Sequence, residues 1–129
     1  MLTAGSVLGG GDHAMPAITG SISVNNIDNN DRTEQVKVVV KLLDVSVADA
    51  AAVTVASTEM PGIFAEHIHY ELPYDAKIID AKNSYIVSVE VFLQQSDGSF
   101  VRKYMSTQSY PVITRGYARR IDVEVNNIR

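Results

Sequence analysis

Residues 66–72, EHIHYEL, hold the side chains of this sequence best suited to chemistry. His67, His69 and Glu71 are imidazole and carboxylate donors, the usual protein ligands of a zinc ion that keeps one position for water. In an extended strand alternate side chains share a face, so these three line one side and Ile68, Tyr70 and Leu72 the other. At ~3.3 Å per residue, positions 67 and 71 lie about 13 Å apart, too far to close on one ion. A neighbouring strand or a second copy of the chain would have to complete the site. The remaining histidine, His13, lies in an N-terminal arm. The expectation is therefore a solvated outer face with no metal and no cofactor. A metal-binding protein using His67 and His69 stands as an alternative.

Other catalytic arrangements find little support. No G-x-S-x-G elbow occurs, and the carboxylates are too scattered to argue an acid–base pair. GSVLGGG lacks the Lys-Ser/Thr of a phosphate loop, and no strand precedes it. The absence of cysteine removes disulfides, thiolate zinc sites and cysteine nucleophiles. An enzyme is not expected. A net charge of −4 disfavours a nucleic-acid partner.

Length and composition then bound what positions these residues. The chain has 129 residues, 46% of them hydrophobic and 20% charged, which suits one globular domain with its own core. Residues 1–17 are rich in glycine and other small residues and read as a flexible arm or linker, leaving 18–129 as the folded domain. The start has neither a basic n-region nor an adequate apolar h-region, so the chain is expected either not to be exported or to begin after a removed leader.

After the arm, period-two alternation dominates. Ile18, Gly20, Ile22 and Val24 share a face, and NNIDNND is a turn by composition. Val36, Val38, Val40 and Leu42 point one way, and Lys37 and Lys41 the other. Further rows start at Val53 and His67, then run through Tyr85, Val87, Val89 and Val91. Ser96-Asp97-Gly98 is a hairpin turn leading to residues 100–105, and Ile121, Val123 and Val125 close the chain. Only VADAAAV has the composition of a helical turn. The predicted fold is all-β, a single antiparallel β-sandwich of about seven strands.

Several residues invite a binding or structural role. Asp44 and Ser46 follow a strand at once and are expected to hold the turn through backbone donors. Arg102, Lys103, Arg115, Arg119 and Arg120 gather in the C-terminal third, where basic side chains protect exposed strand edges. Val39 lies between Lys37 and Lys41 on the outward side, with Leu43 on the same face, and Phe64 follows Pro61-Gly62-Ile63. Val39, Leu43 and Phe64 are expected to contact another chain or a neighbouring copy's arm. In the alternative, Phe64 caps the core and the VADAAA segment covers Leu43.

The segment LLDVSVADA, a strand running into Asp44-Val45-Ser46 and Ala48-Asp49-Ala50, resembles the YbaY/YscW family of small bacterial lipoproteins. Tyr70-Glu71-Leu72 with Tyr74-Asp75, residues 85–89 and YPVITRG at 110–116 extend the resemblance over roughly residues 18–128. The resemblance implies a β-sandwich on the periplasmic side of the outer membrane. YscW-like members are pilotins, which guide secretin subunits of type III secretion systems to that membrane. It therefore implies a non-enzymatic cell-envelope protein that binds or assembles with other proteins, pilotin- or chaperone-like for a secretion-system component. Any outer-membrane association would use a lipid anchor absent from this chain. Another possibility is a filament or surface-structure subunit that self-associates by adding its arm to a neighbour's sheet.

Overall fold

The alternating rows become strands because each can bury one face while its amides pair with a neighbour. A computed structural model describes residues 15–47 and 49–128. Eight strands follow in order: β1 (Ala17–Asn25), β2 (Gln35–Asp44), β3 (Val53–Ile63), β4 (His67–Pro73), β5 (Tyr85–Gln94), β6 (Phe100–Ser106), β7 (Pro111–Val112) and β8 (Val123–Asn127). The expected arm falls almost wholly outside the described residues.

β2 and β5 form the centre of the core. They pair antiparallel with Val38 opposite Val91 and Val40 opposite Val89, all four buried. Branched side chains meet directly across the two strands, where they suit the pleated, buried surface of a sheet. β1 adds Ile18, Ile22 and Val24, β4 adds Tyr70 and Leu72, and β8 adds Val123 and Val125.

The all-β class holds, but the sandwich does not. One sheet runs β3-β2-β5-β6-β8-β1-β4, with β7 added on β5, and curls until its end strands β3 and β4 approach each other. The result is a nearly closed, barrel-like wall. Nor is the sheet purely antiparallel, because β1 and β8 run parallel, Ile22 opposite Val123 and Val24 opposite Val125. Alternation could not distinguish these cases, since a barrel wall and a sandwich layer both bury every second residue.

The β1–β8 side is held by an unusually close approach. A Cβ at Gly20 would lie 1.9 Å from the carbonyl oxygen of Ile121. Only glycine allows the chains this near, and the Tyr70 hydroxyl donates to that same oxygen at 2.6 Å. At the other end of the sheet, β3 is an edge strand. The Phe64 N–H donates to the Glu34 carbonyl at 2.9 Å, so by alternation the even-numbered amides of β3 turn towards β2. Pro61, which has no N–H, then faces the unpaired side, the position a proline tolerates and one that discourages strand addition.

The turn after β2 forms through side chains. Asp44 Oδ1 accepts from the Ser46 N–H at 2.9 Å, and Oδ2 accepts from the Asn83 amide at 3.0 Å. Ser46 Oγ in turn accepts from the Ser84 N–H at 2.9 Å, tying this loop to the entry of β5. The VADAAAV segment is no helix among the described residues. It makes one turn, Ala50 N–H to the Val47 carbonyl at 3.2 Å, before β3 begins at Val53.

Candidate binding surfaces

His67, His69 and Glu71 stand on the exposed outer face of β4, opposite Ser23, Ser21 and Thr19 of β1. His67 Nδ1 lies 3.4 Å from Ser23 Oγ. Among the described residues no three histidine or carboxylate side chains converge closely enough to hold a metal ion.

The three residues expected at a protein contact differ in placement. Val39 is only 6% exposed although it faces outward. Its strand neighbours on that face, Lys37 and Lys41, and its cross-strand partners, Glu59 and Glu90, surround it with aliphatic stems. Lys41 and Arg102 both pair with Glu90, at 3.6 and 2.7 Å, drawing the charged ends together over this part of the sheet. Lys37 also sits over the rings of Phe92 and Phe100, 5.4 and 5.1 Å from their centroids. Leu43 is half-buried. Phe64, for which contact with another chain and capping of the core were the alternatives, is 8% exposed and packs in the core with its ring centroid 5.7 Å from that of Tyr104. The N–H bond to Glu34 keeps this segment against β2, which turns the ring inward.

A polar cluster that the sequence did not reveal lies beneath Phe64. Lys103 Nζ bridges Asp31 at 2.7 Å and Asp28 at 2.9 Å, and the Tyr104 hydroxyl donates to Asp31 at 2.8 Å. Asp31 is 5% exposed, so its charge is tolerated only because these donors surround it. The Lys103 ammonium and the Asn30 N–H hold the Asp28 carboxyl below its usual value. Burial pushes the Tyr104 hydroxyl up, and the Asp31 carboxylate beside it reinforces that shift. The cluster lines an open hollow of about 580 Å³ that also includes Glu34 and Gln95. Composition marks residues 25–31 as a turn, but nothing local points to a lysine more than seventy positions away.

Two further concavities are shaped by the loop after β7. One, of about 500 Å³, lies between Tyr74, Ile79 and the loop residues Ile113, Arg115, Tyr117 and Arg119. The other, of about 450 Å³, lies between the same loop and Tyr85, Ile86 and Pro111. A smaller apolar cleft of about 150 Å³ marks where β3 and β4 fail to pair, lined by Val36, Val38, Met60 and Ile68.

Residues 13–125 match the model of YscW, the type III secretion system lipoprotein chaperone. The chain belongs to the YscW family. The fold of this family member is also similar to a solved structure, that of an alternative pilotin from the type II secretion system of Vibrio cholerae. The two superpose with a TM-score of 0.72 at 25% identity, over 89% of this chain and 98% of that one. Among curated proteins, none matches the chain.

Proposed function

We propose that this YscW-family chain is a pilotin-like chaperone of the cell envelope, a non-enzymatic protein that binds a secretin subunit and guides it to the outer membrane. The observation that carries this reading is the family match over nearly the whole folded region, together with a pilotin of the same fold. The character of the surface supports it. The two concavities beside the loop after β7 are open and walled by tyrosine and arginine side chains, the residue types enriched at protein-binding faces. A location on the periplasmic side of the outer membrane belongs to the same proposal.

The test is to mix the purified chain with the secretin subunit from the same organism and measure mass by size exclusion with light scattering. A complex of defined stoichiometry, and loss of secretin assembly in the outer membrane when the chain is deleted from the cell, are expected. Normal secretin assembly in the deletion strain, with no complex in vitro, would overturn the reading.

A further inference from the structure

The loop that joins β7 to β8 is held in a conformation its residues do not favour. The Thr114 N–H donates to the Val112 carbonyl two residues back at 2.7 Å, and Ile113 between them has φ of 61°. This is a γ-turn of the rare positive-φ type, closed around a β-branched residue. Arg115 follows at φ 62° and Gly116 at 89°, so three of four consecutive residues are left-handed. Strain of this kind persists only where the surroundings enforce it. Here the Ile113 N–H donates to the Ala118 carbonyl at 2.9 Å and the Tyr117 N–H to the Thr114 carbonyl at 3.1 Å. The buried Thr114 hydroxyl pins the loop to the Asn83 carbonyl at 2.6 Å.

Ile113 repays its conformation by packing against the core, but Arg115 does not. It is exposed, and its one hydrogen bond among the described residues runs from Nη1 to the Lys82 carbonyl at 3.2 Å. Glycine would sit more easily at this φ. An arginine placed there forms the ridge between the two concavities, and Tyr117, 53% exposed, stands beside it. Exposed tyrosine and arginine on a rigid support are the side chains that most often anchor protein contacts.

The charge of this region selects the partner. Arg120 pairs with Asp122 at 3.3 Å, whereas Arg115 and Arg119 make no ion pair among the described residues. The nearby carboxylates Asp75 and Asp80 are turned back to accept the N–H groups of Lys77 and Lys82, each at 2.9 Å. A chain of net charge −4 thus presents two uncompensated guanidinium groups flanking an exposed aromatic ring and the apolar walls Tyr74 and Ile79. We propose that the rigid 113–119 loop is a docking face for an amphipathic segment of a partner protein, whose carboxylates pair with Arg115 and Arg119 while its apolar side chains cover Tyr117. This rests on the chaperone reading for the partner's identity, and on the loop's own geometry for the partner's chemistry.

The experiment follows backbone amide shifts of the full chain during titration with a synthetic amphipathic peptide of leucine and glutamate. The same peptide with lysine for glutamate is the control. The acidic peptide is expected to shift amides of residues 113–119 and 76–81, to weaken as salt is raised, and to lose about tenfold or more in affinity with R115E/R119E or with Tyr117→Ser. Because R115E could disturb the loop, Arg115→Gly is the second variant. It should keep or raise the melting temperature while lowering affinity, which a purely structural arginine would not do. Equal shifts with both peptides, shifts confined to the β3–β4 cleft, or R115G binding as well as wild type would each overturn the proposal. A secretin complex insensitive to these substitutions would also sink the docking face while leaving the chaperone reading. Loop-directed peptide binding without any secretin complex would do the reverse.

Discussion

Gly20→Ala tests the packing logic of this fold most sharply, because the structure fixes how far the strands must move. An aliphatic carbon approaches a carbonyl oxygen to about 3.3 Å. The new Cβ would lie 1.9 Å from the Ile121 oxygen, so β1 and the chain entering β8 must separate by the difference, about 1.4 Å. Three hydrogen bonds hold residues 119–121 at this approach, two from β1 and one from Tyr70 of β4, which pairs with β1. They are Ile121 N–H to the Thr19 carbonyl and Thr19 N–H to the Arg119 carbonyl, both 3.0 Å, and the Tyr70 hydroxyl to Ile121 at 2.6 Å. A separation of that size takes each beyond hydrogen-bonding range. At roughly 1 kcal/mol per bond the loss is about 3 kcal/mol, and the gain from removing a glycine's unfolded-state freedom offsets less than about 1 kcal/mol of it. For a chain of 129 residues this corresponds to a fall in melting temperature of about 10 °C. Thermal unfolding followed by circular dichroism measures it. Gly62→Ala is the matched control, because nothing lies within 4 Å of a Cβ there and its melting temperature should hold or rise slightly. If Gly20→Ala melts with wild type, the close approach is not what holds β1 to β8.

Asp31→Ala should cost about 1–3 kcal/mol in a denaturant titration, because it takes the acceptor from the buried Tyr104 hydroxyl and leaves the Lys103 ammonium with Asp28 alone. Phe64→Ala should cost about 3 kcal/mol or more by the same measurement, and a loss near zero would favour the contact role over the core-capping alternative. Stability should also decline in acid. The Ser46 hydroxyl and N–H hold the Asp44 carboxyl below its usual value, the Ser21 N–H and hydroxyl do the same for Asp122, and the Ser99 hydroxyl and N–H for Asp97. Depressed folded values mean that their contribution is complete above the ordinary carboxylate pKa of about 4 and is lost as pH falls through the folded values. Melting temperatures taken across acidic pH should therefore fall less steeply in Asp44→Asn than in wild type.

The buried rows of β2 and β5 were legible because Val36, Val38, Val40 and Leu42, and Tyr85, Val87, Val89 and Val91, are apolar at every second position. The Asp44–Ser46 turn was legible for a local reason, since the acceptor and its donor lie two residues apart. What escaped depends on contacts distant in sequence. Gly20 looked like a weak member of an inward row, and its purpose appears only when Ile121 arrives beside it. Asp31 read as a polar turn residue until Lys103 and Tyr104 enclosed it. The choice between sandwich and barrel rests on which strands neighbour one another, and a period of two carries no information on that. At the protein-contact candidates, alternation placed Val39 outward correctly but could not show that flanking lysines and glutamates cover it. The basic residues of the C-terminal third were visible as a group, yet the left-handed run at Ile113, Arg115 and Gly116 that fixes two of them was not.

The parallel pairing of β1 with β8 also has a consequence for how the chain is made. β1 takes its place between β4 and β8, with Ser23 beside Glu124, which is made about a hundred residues later. At synthesis rates of about 5–20 residues per second, β1 waits on the order of 5–20 s for that neighbour. During that interval one edge of an apolar strand stays open to chance pairing with other chains. The fold therefore cannot close from its beginning, and the late, non-local step should set its folding rate. A nascent chain stalled before residue 123 would lack the strand that seals β1 to β6, which makes the unfinished protein a client for holding factors.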